Sequence, residues 1–368
     1  MRTVTGIAAV TAALIGAAAG AVSFVDNTPN PPPPTSYRAA APTSTPTATA
    51  TATPTSTTGQ TTPSPAPTPT WTVTSTQLRR IARSAAGEGG RVQLAVAAPG
   101  RRTVAAASSG STRTWFRLWS VSKAATSIAL LRANKWGARR GRPLRADVET
   151  SMHSALVRSG DCAQRQLIVE LQEQLSGIDN ARAAVQDVLR DAGATGARVL
   201  ERSSVAGTGC RPYLARTRTR DPYRVALQLG TSEWAINDAA QFALALGDGT
   251  FEPSITRRML RLLGKPKLHS DDPFANGLDV TGPLNWGAGS AMRAYRPAYK
   301  SGWGGSSGET PTFVNEQVIH LQTSAGPIGV AVTFEPDTVP VRDDPGLTRA
   351  PDALDHALRE LARMLPRP

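Results

Sequence analysis

Ser120 and Lys123 have the residue types and the spacing of a nucleophile and its base. A serine hydroxyl is a weak nucleophile until a base within hydrogen-bond reach accepts its proton. Residues three apart share one face of a helix, so a helix that begins at Ser120 would bring its hydroxyl to the Lys123 amine. Backbone N–H groups at the start of that helix would also stabilise an oxyanion developing beside the serine.

Two further short motifs follow in the chain. Ser159 precedes a glycine and an aspartate, and Lys300 precedes Ser301 and Gly302. On an edge strand facing the helix, Lys300 would supply a cation that favours the neutral, basic form of Lys123, and it would also bind a substrate carboxylate. Each motif alone is compatible with a capping serine near a surface lysine, or with a strand entering a glycine-rich turn. The order of all three, in a chain with only five lysines, favours nucleophilic catalysis.

Composition divides the 368 residues into three parts. Residues 1–26 include an Ala-rich, uncharged stretch that predicts either a cleaved signal peptide or a single membrane anchor. Residues 27–74 are rich in Pro, Thr and Ala and predict a disordered linker, because they cannot bury enough apolar surface to offset the entropy of ordering. Residues 75–368 are the predicted folded domain. Both interpretations of the N-terminus predict that this domain is secreted or lies on the extracellular face of the cell membrane.

The net charge of +13 comes from 41 Lys+Arg against 28 Asp+Glu, and 36 of the basic residues are arginines. These arginines are scattered, with short pairs such as Arg139 and Arg140 and no long basic run. Nucleic acid is therefore not an expected partner. On an exported domain, a basic surface would favour anionic cell-wall polymers.

Periodicity predicts strands near both ends of the folded domain and helices between them. Apolar spacing predicts helices at 120–134, 146–157, 163–175, 180–192, 255–263 and 352–364, and one that is capped by Thr231 or Ser232. Strand-like segments lie at 92–98, 103–107, 298–302, 313–322 and 328–333. Residues 203–228 lack periodicity and are a predicted functional loop. This order predicts one sheet built from both chain ends, with a helical domain inserted.

The three motifs together resemble the active site of class A β-lactamases and low-molecular-mass penicillin-binding proteins. The resemblance covers most of residues 75–368, and residues 152–167 are similar to the helix, turn and following helix around the family's second motif. It implies an α/β (α+β) fold of the β-lactamase/transpeptidase type. Such a fold has a five-stranded antiparallel sheet flanked by helices, an inserted all-helical domain, and the active site between them.

The resemblance also implies a role for each motif residue. Ser120 would be acylated, Lys123 would be the acylation base, and Ser159 would pass a proton to the leaving nitrogen. The backbone N–H groups of Ser120 and Trp303 would form the oxyanion hole. Substrate would be bound along the third motif, by Lys300, Ser301, Gly302 and Trp303. The implied substrate is a peptidoglycan stem peptide or a β-lactam, with no cofactor.

The chain departs from the family pattern in two places. Asp161 stands where the family has asparagine, and a carboxylate near Lys123 would favour the charged amine and weaken it as a base. Alternatively, Asp161 itself accepts the proton, or it turns away and caps the following helix. The glutamate that activates the deacylating water in class A β-lactamases would fall near Ser204, and neither Glu201 nor Glu233 is a clear replacement. Fast hydrolysis of an acylated β-lactam is therefore not expected.

Cysteines and histidines complete the candidate residues. Cys162 follows the second motif and Cys210 lies in the loop that packs against it in the resembled fold, so an exported chain would join them in a disulfide; two free thiols are the alternative. His153 and His320 lack the setting of a Ser–His–Asp triad. The other two histidines lack metal-like spacing, and no metal site is expected.

The sequence therefore predicts an exported penicillin-recognising serine hydrolase that forms an acyl-enzyme at Ser120, similar to a DD-peptidase or a slow β-lactamase. The alternative is a catalytically impaired module of the same fold that binds β-lactam or peptidoglycan without turnover. A third possibility is a basic adhesin in which the motifs are accidental. Contact with a membrane is expected only through the N-terminal segment.

Overall fold

The computed structural model of the chain describes residues 72–87, 89–112, 115–136, 143–199, 232–267, 287–305, 313–337 and 346–368. All of them belong to one structural unit that begins at Pro65. The predicted N-terminal segment, nearly all of the predicted linker and the predicted loop at 203–228 lie outside the described residues, as do Glu201, Ser204 and Cys210. Within the described ranges, no helix combines the length and the apolar content needed to cross a bilayer.

The elements follow the chain in three groups. The first contains α1 (Ser75–Ala86), β1 (Gly90–Ala97), β2 (Val104–Ala107) and β3 (Phe116–Arg117). The second contains a 3₁₀ turn (Trp119–Val121), α2 (Ser122–Trp136), α3 (Ala146–Val157), α4 (Asp161–Leu175), α5 (Ile178–Asp191), β4 (Arg198–Val199), β5 (Ser232–Trp234), α6 (Ile236–Ala245) and α7 (Pro253–Leu263). The third contains α8 (Ala288–Ala291), a second 3₁₀ turn (Arg293–Tyr295), β6 (Ala298–Gly305), β7 (Phe313–Thr323), β8 (Gly326–Pro336) and α9 (Gly346–Ala362).

The main sheet has five antiparallel strands in the order β2–β1–β8–β7–β6. β1 pairs with β8, so that Val92 lies opposite Phe334. β6 pairs only with β7 in this sheet and forms its edge, with Lys300 opposite Val318. Helices α2 to α8 lie between β2 and β6 in the chain, whereas α1 precedes β1 and α9 follows β8. The predicted β-lactamase-like architecture, one sheet built from both chain ends with helices inserted, is confirmed.

The two faces of the sheet carry separate hydrophobic cores. α1 and α9 cover one face, where Leu94, Ile319 and Val330 are buried. The inserted helices cover the other face, against Ala97 and Ala331. The two sets alternate along each strand because successive side chains point to opposite faces. Burial of one such Leu, Ile or Val side chain stabilises the fold by about 1.5–3 kcal/mol, so the cores fix the sheet against the inserted helices.

Helix α2 runs through the centre of the inserted helices. Every residue from 121 to 130 is buried, whereas its apolar spacing predicted one buried face. Thr126 finds partners for its side chain inside the core. Thr126 Oγ1 donates to the Ser122 carbonyl at 3.1 Å and accepts from Gln164 Nε2 at 2.9 Å. Because this hydroxyl is paired, its burial costs little, whereas Ser127 Oγ is buried with no hydrogen-bond partner among the described residues.

Several predicted helix starts differ from the observed ones, and α9 begins at Gly346, six residues before the predicted start at 352. Two other differences concern the 3₁₀ turn at Trp119 and strand β5. The predicted helix at 120–134 opens with the 3₁₀ turn, and the α-helix begins at Ser122. Ser232, one of the two residues predicted to cap the next helix, begins β5 instead, and Thr231 lies outside the described residues. Trp234 of β5 lies opposite Phe116 of β3. Their rings meet edge to face with centroids 6.4 Å apart. Burial of Trp234 against a distant strand outweighs the local capping preference of a serine.

Candidate active site

Ser120 lies in the 3₁₀ turn directly before α2. Its neighbour Trp119 has a φ of +37°, in a region that residues with side chains rarely adopt. The Trp119 indole lies against Gly304 of β6, where a Cβ would come within 2.4 Å of the ring. Leu118 N also donates to the Ser232 carbonyl at 2.9 Å. Packing on both sides therefore holds the strained residue, and with it the serine.

Lys123 lies one turn further along and is fully buried. Its Nζ is 2.8 Å from Ser120 Oγ, 2.5 Å from the Ser159 carbonyl oxygen and 2.7 Å from Asp161 Oδ1. A neutral amine would donate its two N–H groups to the carbonyl and the carboxylate, and its lone pair would accept from the serine hydroxyl. A charged ammonium would donate to the same three oxygens. The three oxygens can therefore hold Lys123 both as a neutral amine, before it accepts a proton, and as an ammonium group afterwards.

Ser159 connects the two lysines. Its hydroxyl lies 2.8 Å from Lys300 Nζ and 3.2 Å from Lys123 Nζ. Its φ of +59° is again in the left-handed region, at the tight turn between α3 and α4. Lys300 is 4% exposed, lies on the edge strand as predicted, and donates to the Ser301 carbonyl at 2.8 Å. A hydroxyl between two amines is placed to pass a proton to a leaving group.

Asp161 begins α4, but its carboxylate binds Lys123 and does not cap the helix. The N-cap residue is Gly160, and no side chain bonds to the cap. The Lys123 side chain is 0% exposed, whereas that of Asp161 is 60% exposed. This geometry excludes the capping interpretation. An opposite charge at 2.7 Å stabilises the ammonium form of Lys123, and solvent around the carboxylate weakens that effect.

The residues predicted to bind substrate lie next to Lys300 on β6. Ser301 Oγ accepts a hydrogen bond from Gln317 Nε2 at 3.0 Å. By strand alternation, this hydroxyl lies on the face opposite the Lys300 side chain. Trp303 is partly exposed. Its predicted role in the oxyanion hole, together with the Ser120 N–H, stays a prediction.

A buried carboxyl that sequence reasoning missed, that of Glu316, lies behind the third motif. Glu316 is 1% exposed and stands opposite Gly302, where a Cβ would come within 2.6 Å of Glu316 Oε1. Trp234 Nε1 donates to Oε2 at 3.4 Å, and Oε1 has no partner among the described residues. Burial raises the pKa of Glu316 well above its usual range, although the Trp234 hydrogen bond and the Lys300 charge oppose this. The absence of a side chain at Gly302 therefore leaves space for the Glu316 side chain. The sequence predicted a substrate contact at Gly302.

Three further candidate residues, Glu233, Cys162 and His320, lie outside the three motifs. Glu233 is on β5, opposite Arg117 of β3, and lines a cavity together with Trp119 and Gly304. Cys162 directly follows Asp161, and its predicted partner Cys210 lies outside the described residues, so the disulfide stays a prediction. His320 is buried, and its burial lowers the pKa of the imidazole. A buried neutral imidazole on a strand agrees with the structural role that the sequence predicted for His320.

Class A β-lactamases are among the solved structures to which this chain is similar. A β-lactamase from Streptosporangium roseum has 15% sequence identity and a TM-score of 0.49, over 78% of this chain and 98% of its own. An ancestral class A β-lactamase has 19% identity and a TM-score of 0.47, over 78% of this chain and 100% of its own. A class A β-lactamase of the last common ancestor of Gram-negative bacteria has 19% identity and a TM-score of 0.46, over 78% and 98%. No family model matches the chain, and no curated protein matches it.

Proposed function

We propose that the protein is an acyl-transfer enzyme that forms an ester at Ser120 with the carbonyl of a peptide or β-lactam amide. The observation that supports this most directly is the 2.8 Å contact between Lys123 Nζ and Ser120 Oγ, with Ser159 bridging to Lys300. Burial of an ammonium group costs several kcal/mol unless it is well paired. Even a buried lysine that is paired, as Lys123 is with Asp161, adds little net stability, so a role in catalysis accounts better for the two buried lysines.

Acylation follows from the positions of these groups. Lys123 Nζ accepts the Ser120 proton as Oγ attacks the amide carbonyl carbon, and the carbonyl oxygen takes the negative charge. As the C–N bond breaks, the Ser159 hydroxyl gives its proton to the leaving nitrogen and recovers one from Lys123. Lys300 binds a carboxylate of the substrate and lowers the affinity of Lys123 for its proton. The chain is left with an ester at Ser120. A peptide releases its amine at this step, whereas the nitrogen of a β-lactam stays attached to the acyl group because the amide bond lies in a ring.

Release of the acyl group is the slower half of the proposed cycle. Water must attack the ester, and a base must take its proton. The sequence has no clear glutamate at the place of the class A base, near Ser204, and Glu233 lies on β5 opposite Arg117. We therefore propose a DD-peptidase-like or slow β-lactamase-like enzyme.

A β-lactam tests the proposal because the adduct can be weighed. The full chain is incubated with penicillin, and intact mass is followed over time by mass spectrometry. A stoichiometric adduct that is absent in Ser120→Ala and present in Ser254→Ala, an exposed serine of α7, would support an acyl-enzyme at Ser120. An adduct that survives Ser120→Ala would refute it. The rate at which the adduct disappears measures deacylation.

The alternative function is a module that binds without turnover. The 2.7 Å ion pair between Lys123 and Asp161 favours it, because a permanently charged lysine cannot accept a proton. Such a module would bind penicillin reversibly and leave the intact mass unchanged. Equilibrium binding without an adduct, unaffected by Ser120→Ala, would select this alternative.

A further inference from the structure

Helix α7 carries two cations on its exposed face, and a third follows its end. Arg257 and Arg261 lie four residues apart on α7, and Lys265 lies two residues beyond the last residue of the helix. All three are exposed, while Ile255, Met259 and Leu263 bury the opposite face of α7. Arg257 and Arg261 are about 6 Å apart along the helix axis.

The row continues toward the active site. Lys267 N donates to the Val157 carbonyl at 2.6 Å, which brings the end of this segment to the end of α3. The next residue there is the exposed Arg158, which directly precedes Ser159. We call Arg257, Arg261, Lys265, Lys267 and Arg158 the basic band. It includes two of the five lysines of the chain.

The charges of the basic band are not neutralised within the described part of the chain. Like charges four residues apart destabilise a helix, and α7 contains no acidic residue. The neighbouring Glu149 forms an ion pair with Arg258. Burial, together with the adjacent Arg261 guanidinium, lowers the pKa of Arg258. Among the described residues, Arg257 and Arg261 have no ion-pair partner.

A groove lies beside the band, between α3 and α7. It has a volume of about 510 Å³ and is lined by Glu149, His153, Arg257, Arg258, Arg261 and Leu262, among others. A guanidinium group binds phosphate through two parallel N–H donors, and its planar shape matches the phosphate oxygens. An elongated row beside a groove suits a linear ligand with repeated charges.

We infer that the basic band is a binding site for a linear phosphate polyanion, of the kind that a phosphodiester polymer presents. The site lies outside the Ser120 cluster, so binding there does not depend on the proposed acylation. Because Arg158 directly precedes Ser159, a polymer bound to the basic band would lie close to the proposed catalytic site. The band would therefore concentrate the enzyme on an anionic surface.

Fluorescently labelled inorganic polyphosphate, titrated with the full chain at several salt concentrations, tests this site. Arg257→Glu combined with Arg261→Glu should lower affinity at least about tenfold and reduce the dependence of log K on log salt by about 1.5, because two phosphate contacts are lost. Arg79→Glu with Arg80→Glu, two exposed arginines of α1, makes the same change in net charge. This control should lose less than about twofold. Urea unfolding of both variants establishes that they are folded.

Two outcomes would overturn the inference. Equal loss in the two double variants would mean that polyphosphate responds to net charge and not to the band. Competition by polyglutamate as strong as that by unlabelled polyphosphate of equal charge would mean that the band does not select phosphate. Neither outcome bears on acylation at Ser120, which is measured separately.

Discussion

The Lys123 amine is placed to take one proton, that of the Ser120 hydroxyl 2.8 Å away. Lys123→Ala removes this base, so acylation by penicillin should slow by about 10²- to 10⁴-fold. Lys135→Ala, at the exposed end of the same helix, is the matched control and should react at the wild-type rate. Quenched time points analysed by mass spectrometry give both rates. A Lys123→Ala rate within tenfold of wild type would assign the base to another residue.

Asp161 forms an ion pair with that amine. Its negative charge favours the ammonium form, so Asp161→Asn should move the acid limb of the acylation profile to lower pH and speed the reaction at pH 7. Acylation rates between pH 5 and 9 measure the shift. Because the Asp161 carboxylate is largely exposed, added salt should screen its charge and move the wild-type profile in the same direction.

Asp179→Asn, an exposed aspartate at the start of α5, is the control for this change and should leave the profile in place. If Asp161→Asn slowed acylation at every pH, the carboxylate would be the proton acceptor instead. An unchanged profile would mean that the ion pair has no part in the reaction.

At the scale of elements, the β6–β7 pair holds a buried acid next to the third motif. Burial raises the pKa of Glu316, so the folded protein keeps a proton that the unfolded chain loses near pH 4.3. The folded state then binds more protons above that pH, and the free energy of unfolding falls as pH rises toward the folded-state pKa. Glu316→Gln removes this slope and should gain stability relative to wild type between pH 4 and 7.

Urea unfolding at pH 4, 5.5 and 7 measures that difference. Glu173→Gln, on α4, serves as the control and should follow the wild-type curve. A Glu316→Gln variant that loses stability equally at all three pH values would show that the carboxyl is needed for packing alone.

The contact between the serine turn and the edge strand also belongs to this scale. Gly304→Ala would place a Cβ 2.4 Å from the Trp119 indole, and relief of that overlap must move the residue before Ser120. Overpacking of this kind costs about 1–3 kcal/mol, and acylation should fall at least about tenfold. Gly87→Ala, where a Cβ would meet only the Ser84 carbonyl at 3.1 Å, should acylate normally. If Gly304→Ala acylated at the wild-type rate, the position of Ser120 would not depend on the contact between Trp119 and Gly304.

The parts of the site that sequence could predict are those set by local spacing. Ser120 and Lys123 are brought together by one helical turn. Lys300 lies on a strand that the residue pattern of 298–302 predicts. The 3₁₀ turn at Trp119 could not be predicted, because its strained backbone depends on Gly304, which lies far along the chain. Glu316 was missed for the same reason: its position behind Gly302 requires the register of two strands. β5 likewise forms only through pairing with a distant strand.

At the scale of the whole molecule, a covalent link is predicted between the second motif and the loop outside the described residues. Alkylation of the non-reduced full chain, followed by mass spectrometry, should find no free thiol at Cys162 or Cys210. In the chain-entropy model, closing a loop of this length stabilises the fold by about 4 kcal/mol. Replacement of both cysteines by serine should therefore lower the free energy of unfolding by several kcal/mol. Two alkylated thiols in the oxidised protein would contradict the pairing.

The sheet order has a consequence for how the protein becomes active. β1 is made early, yet its partner β8 lies more than 200 residues later, and β6 reaches β1 only through β7 and β8. A chain leaves the ribosome N-terminus first, so Ser120 and Lys123 exist long before Lys300 has a sheet to lie on. Contacts this distant in sequence also form slowly. The proposed site is thus complete only after the last strands of the sheet have formed, because Lys300 has no position beside Ser159 before then.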